Sequence, residues 1–132
     1  MSALTFHYKM VDSYWRPIIL IEVIYKRSSI KHEVLIDSGA DYCIFNAEIG
    51  EVLGIDIEKG DRLQFKGIDG VKQIGYSHRI GINAKGITYN AIAVFSYDIA
   101  DMSCGIVGQL YFFDHFKINF DYQKASIVLR PK

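Results

Sequence analysis

Val34-Leu35-Ile36-Asp37-Ser38-Gly39-Ala40 is the stretch on which the reading of this chain turns. An apolar run of strand-forming residues drops into one carboxylate, a hydroxyl and a glycine. An acid at the end of a buried strand stands where water is scarce, so its pKa can be moved. Ser38 can hydrogen-bond locally, and Gly39 lets the backbone turn sharply and approach closely. This arrangement presents a carboxylate for acid–base chemistry rather than for solubility. The segment occurs once in the 132 residues.

On either side of it the chain reads mainly as strand. Residues 16–27 alternate in part and are rich in Ile, Val and Tyr, as a half-buried strand requires. A turn is expected at Ser28-Ser29, with the next strand over residues 31–37. Pro17 is tolerable near a strand start, where the missing donor costs little. Residues 46–54 read as a short helix, with Asn46 as N-cap, Gly54 as terminator, and Ile49, Val52 and Leu53 on one apolar face. Gly50 weakens that helix. Residues 62–82 read as a hairpin tipped by Gly67-Ile68-Asp69-Gly70, and residues 79–84 and 87–96 as a pair around Lys85-Gly86. Cys104-Gly105-Ile106-Val107-Gly108 is a second apolar run closed by glycine. One or two helical turns are expected over residues 109–115, with Leu110, Phe112 and Phe113 inward. A last hairpin is expected from residues 116–121 and 125–130. Short strands, turn residues and two short helices point to a small closed or partly closed β structure.

Composition excludes several function classes. Half of the chain is apolar, with nine Tyr and eight Phe, which suits one domain with a sizeable core. Fifteen basic residues balance fifteen acidic ones, which removes the electrostatic case for nucleic acid or an anionic membrane as partner. The longest apolar run, Ile18-Ile19-Leu20-Ile21, is broken by Glu22 and is too short to span a bilayer. The N-terminus lacks a basic region followed by a long apolar one. Cys43 and Cys104 form no CxxC and read as buried free thiols of a reducing compartment. A soluble cytoplasmic protein is therefore expected. His7, His32, His78 and His115 lack metal-ligand spacing, so neither a metal nor another cofactor is expected. Ser38 follows an acid instead of sitting in a Gly-x-Ser-x-Gly elbow, which argues against a serine nucleophile.

Three elements recur in an informative order: the acid turn Asp37-Ser38-Gly39-Ala40-Asp41, the glycine-tipped hairpin at residues 67–70, and the run Ile106-Val107-Gly108. In these the chain resembles the retropepsin-like aspartic proteases, from about residue 16 to about residue 130. The resemblance implies an all-β acid-protease barrel with one or two short helices, assembled as a homodimer. Residues 1–15 form an N-terminal extension or strand outside it, and residues 16–132 form the protease domain. It implies that Asp37 is the catalytic aspartate, that Ser38 locks two active-site loops together, and that the backbone of Gly39 sits beside the carboxylates. Ala40 and Asp41 contact substrate backbone or brace the dimer. Ile44 and Ile106 line side-chain pockets, while Gly67, Ile68, Asp69 and Gly70 form a flap tip over bound peptide. Retroviral members usually carry Arg after the second glycine, paired with the acid matching Asp41. Here that position is Gln109, and the flap tip carries Asp69 where glycine is favoured.

With one Asp-Ser-Gly per chain, a pair of acids requires Asp37 from two copies on a two-fold axis. The implied activity is hydrolysis of peptide bonds in a peptide or unfolded protein bound as an added strand. Residues 125–132 are the expected part of the subunit interface. A catalytically inactive dimeric module that grips extended peptides fits the same residues.

Overall fold

Alternation sets which way each strand faces, and the computed structural model, which describes residues 2–67, 69–99 and 104–132, shows the result. The chain opens with β1 (Leu4–His7), then a hairpin of β2 (Lys9–Val11) and β3 (Tyr14–Arg16) turning at Asp12 and Ser13. β4 (Ile18–Tyr25), β5 (Ser28–Ile36) and β6 (Ile44–Asn46) lead to helix α1 (Ala47–Val52) and a single tight turn at Ile57–Lys59. β7 (Asp61–Lys66), β8 (Lys72–Ala84) and β9 (Ile87–Ser96) follow, then β10 (Gly105–Val107), β11 (Phe116–Asp121) and β12 (Ser126–Pro131). The all-β class is the one expected.

The main sheet runs β4-β5-β10-β6-β9-β8-β7, and β8 pairs back onto β4, so the first six of these strands close a ring. Closure removes unpaired edges inside the barrel. β8 belongs to two structures. Residues 81–83 pair with β4 in the barrel wall, whereas residues 72–77 pair with β7 in a ribbon that leaves the ring. Ile19, Ile21 and Val23 of β4 point into the core, and Leu20 between them is half exposed, as period-two alternation demands. Lys85 at φ 45° and Gly86 at φ 94° make the two-residue β8–β9 turn, whose twist matches that of the strands it joins.

Residues 4–7 pair with β12, which also pairs with β11, giving a second sheet of order β1-β12-β11. Phe6 is buried in the main core, and the Lys85 ammonium lies 4.4 Å over its ring. Both edges of β12 are thus occupied within one chain. Within this sheet β1 and β11 are the outer strands.

Several local expectations need correction. The β4–β5 turn is at Lys26-Arg27, because Tyr25 pairs with Ser28 and Lys26 takes the positive φ of 53°; Ser28 and Ser29 already belong to β5. In α1, Asn46 accepts from the Glu48 amide, as expected of an N-cap. However, Val52 is exposed and Gly50 is buried, since the helix lies so close to Ile57 and Phe95 that a Cβ at residue 50 would be 2.6 Å from Ile57. Residues 109–113 do not make a regular helical turn. Leu110 is extended and Tyr111 is left-handed (φ 68°), so Phe112 is buried while Leu110 is half exposed rather than inward. Cys43 is buried, but Cys104 is only partly so.

His32 occupies an awkward place in this wall. It sits on β5, edge-on to Phe45 with ring centroids 6.0 Å apart, and its buried Nε2 has no hydrogen-bond partner among the described residues. Burial holds its pKa below the ordinary value of 6.5, and the Glu33 carboxylate pulls less strongly the other way. Above that ordinary value the imidazole is neutral folded and unfolded, and His32 adds no pH dependence. As pH falls below it, the unfolded chain takes up a proton that the folded chain resists, so stability is lost in acid until the depressed folded value is reached. His32→Phe keeps the ring contact and removes this slope. Urea unfolding at pH 8 and pH 5 is expected to show a larger acid loss for the wild type than for His32→Phe. Equal losses would mean that His32 titrates alike in both states.

Candidate active site

β5 ends at Ile36, and the next residue is Asp37. β10 runs parallel to β5, with Val107 beside Ile36, and the Asp37 amide donates to the Val107 carbonyl at 3.0 Å. β10 lies between β5 and β6 in the sheet, pairing Ile106 with Ile44 on its other side. The loop joining β5 to β6 must therefore cross the end of β10. Gly108 lies under that crossing. A Cβ there would meet the Ala40 carbonyl oxygen at 2.4 Å and that of Tyr42 at 2.6 Å.

The loop is pinned from below along its length. Gln109 donates its amide to the Ala40 carbonyl at 2.8 Å, and Leu110 donates to that of Asp41 at 2.9 Å. The Gln109 side-chain amide donates to the Ser38 carbonyl at 2.8 Å. Within the loop, the Gly39 amide donates to Asp37 Oδ1 at 2.9 Å, fixing one oxygen of a half-buried carboxylate. Beneath it the Cys43 thiol donates to the Leu110 carbonyl at 3.5 Å, and burial pushes that thiol up to about 11, so it stays protonated and unreactive. Asp41 has no ion pair among the described residues; the neutral amide of Gln109 engages Ser38 in its place.

Above the loop stands the β7–β8 ribbon. Its turn is closed by Gly70 donating to the Gly67 carbonyl at 3.0 Å and by the Val71 amide donating to Asp69 Oδ1 at 3.0 Å, with Gly70 at φ 76°. The ribbon root is tied down where Ile74 donates to Asp98 at 2.8 Å and Ser96 donates to the Ile74 carbonyl. Between ribbon and loop lies a cleft of about 920 Å³. Its lining brings together Asp37, Gly39, Ala40, Asp41, Ile44, Gly67, Asp69 and Ile106 of the expected site residues. Ser38 and Gly70 belong to the same loop and turn but do not line the cleft, and Ile68 lies outside the described residues.

Other lining residues were not anticipated. Phe65 and Gln73 pair across the ribbon, and Lys66 adds an ammonium beside the carboxylates of Asp37, Asp41 and Asp69. The hairpin register could have placed Phe65 with Gln73, since cross-strand partners share a face, but not the consecutive Gln64 and Lys66 that also line the cleft. Tyr42 and Ile99 also line it, and no sequence signal marked them. Ile44, Val94 and Ile99 form a small apolar cluster of their own, with Phe65 and Ile106 packed on it, so the cleft has a hydrophobic floor and a polar rim. Among the described residues no group of three His, Cys, Asp or Glu side chains could hold a metal ion. No helix among them is long and apolar enough to cross a membrane.

A closed β ring, an acid loop crossing its parallel strand pair and a projecting hairpin above that loop define the retropepsin-like fold, and this chain has it. A retropepsin-like aspartic protease from Rickettsia conorii superposes with a TM-score of 0.69 at 16% identity, over 98% of this chain and 99% of that one. The protease of EIAV, solved with the inhibitor HBY-793, superposes with a TM-score of 0.53 at 20% identity, over 71% of this chain and 82% of that one. No protein-family model and no curated protein sequence matches the chain.

Proposed function

We propose that this protein is an aspartic endopeptidase that acts as a homodimer, with Asp37 from each copy forming one catalytic pair. The observation that carries the reading is the placement of Asp37. The single Asp-Ser-Gly carboxylate lies on the wall of a peptide-sized cleft, under a hairpin, in a fold shared with two proteases. One chain supplies one such acid, and the second comes from the twin. Two adjacent carboxylates cannot both ionise, so they hold one proton between them. The charged member takes a proton from water, whose oxygen attacks the peptide carbonyl carbon. The neutral member protonates the carbonyl oxygen. The resulting tetrahedral diol breaks its C–N bond as the amine nitrogen gains a proton and one diol hydroxyl returns its own.

Substrate enters as an extended strand, its side chains meeting the apolar floor around Ile44 and Ile106. Three carboxylates against one ammonium on the lining disfavour acidic peptides. Unbridged Cys43 and Cys104 suit a cytoplasmic setting. The test is digestion of an unfolded, labelled protein between pH 4 and 7. Cleavage blocked by a statine-type transition-state mimic, with specific activity rising with enzyme concentration, is the expected result. Tight binding of extended peptides with no bond broken would replace this reading with an inactive binding module.

A further inference from the structure

We infer that Gln109 is a positioning residue that orients the Asp37 carboxylate through one peptide group; the inference rests on the peptidase reading above. The Ser38 carbonyl and the Gly39 amide belong to the same peptide unit. Its oxygen accepts from Gln109 Nε2 at 2.8 Å, and its N–H donates to Asp37 Oδ1 at 2.9 Å. Gln109 therefore holds one end of a rigid plane whose other end grips the acid. A donor on the oxygen also polarises the amide and strengthens its N–H as a donor. The remaining ties of the loop to Val107, Gln109 and Leu110 are made by backbone groups or by the Cys43 thiol, and they form with any residue at position 109. Among the described residues only the side-chain bond reaches Ser38, which is exposed and next to a glycine. Without that bond the 38–39 peptide is held only by the turn that the Ala40 amide closes on the Asp37 carbonyl at 3.2 Å, a turn whose central peptide can flip, and the carboxylate then loses its fixed donor.

The clamp is uncharged, so it does not titrate. The charged and titratable groups around it are Asp37, Asp41 and Tyr42 on the loop and Cys43 under Leu110. Asp114 and His115 follow the turn, and the Lys132 ammonium donates to the Phe113 carbonyl at 3.1 Å. All of these are common to the wild type and to variants at residue 109.

Gln109→Leu keeps the Cβ–Cγ–Cδ stem of the side chain and deletes the donor. Its kcat is expected to fall about 10- to 100-fold with little change in KM, as loss of orientation predicts. Gln109→Glu gives a readout that a merely structural role would not move. Protonated, the acid donates to Ser38 as the amide does; ionised, it sets oxygen against oxygen. Its activity should approach wild type near pH 4 and then fall with one basic limb more than the wild type, which shows only the limb set by loss of the proton shared by the Asp37 pair. Hydrogen exchange of the Gly39 amide, followed by NMR in the dimeric protein, reads the clamp without catalysis. It should speed up about tenfold in Gln109→Leu, and in Gln109→Glu only above the carboxyl pKa. Gly39 exchange unchanged in both variants, or a Gln109→Glu profile parallel to wild type, would overturn the inference. A wild-type protein that cuts nothing while Gly39 exchange still follows residue 109 would sink the peptidase reading alone.

Discussion

Asp37→Asn is expected to lower kcat by about 10³-fold or more while leaving the protein folded. The asparagine removes the only side chain that the proposed mechanism asks to exchange protons, and it does so in both copies at once. Little else changes. Asn carries an Oδ1 in the same place, so the 2.9 Å bond from the Gly39 amide survives. Asp37 is half-buried and makes no ion pair among the described residues, so unfolding free energy should stay within about 0.5 kcal/mol of wild type. Mixing adds a sharper test of the dimer. When equal amounts of wild type and Asp37→Asn exchange subunits, random pairing leaves about one dimer in four with two Asp37 residues. Activity should then fall to about a quarter of that of an all-wild-type sample. A fall to one half would mean that each chain works alone. Unchanged cleavage by pure Asp37→Asn would remove the carboxylate from the mechanism.

The acid turn was legible because its chemistry and its local structure coincide. An apolar strand stops at Ile36, Asp37 follows, and the glycine lets an amide fold back onto the acid. The ribbon was legible from Gly67 and Gly70 for the same reason, since turn residues act locally. Properties that depend on distant partners were not readable. β1 pairs Leu4 with Leu129, and nothing in the periodicity of residues 1–15 specifies that register. Gly50 weakens a helix by propensity, yet it is buried against Ile57 and Phe95, and the packing overrides the propensity. Tyr111 takes a left-handed conformation that aromatic residues rarely adopt, so the turn at 109–113 departs from the helix its apolar spacing implied. The role of Gln109 was hidden for a related reason. As a residue type it excludes an ion pair, but which carbonyl it reaches depends on how the loop crosses β10.

That crossing makes Gly108→Ala a severely destabilising substitution. Gly108 has φ −123° and ψ −159°, a backbone conformation open to any residue, so conformational strain is not the cause. The cost is steric. The added methyl would lie 2.4 Å from the Ala40 oxygen, 2.6 Å from the Tyr42 oxygen and 2.9 Å from the Ala40 carbonyl carbon. All three are backbone atoms of a loop already bonded to the chain beneath it, so no side chain can swing aside. Destabilisation of about 2–4 kcal/mol follows, read as a fall of roughly 10 °C in Tm. Gly54→Ala is the control, for there the situation is reversed: φ is +89° and nothing lies within 4 Å of the new methyl. It should cost only about 1 kcal/mol, through backbone strain alone. In whatever Gly108→Ala protein stays folded, the loop must rise off β10 and carry Asp37 with it, and under the proposed mechanism a displacement of about 1 Å is enough to cost about 100-fold in rate. If Gly108→Ala melted no lower than Gly54→Ala, the loop could not run over the end of β10, and the geometry that sets Asp37 in the cleft would have to be redrawn.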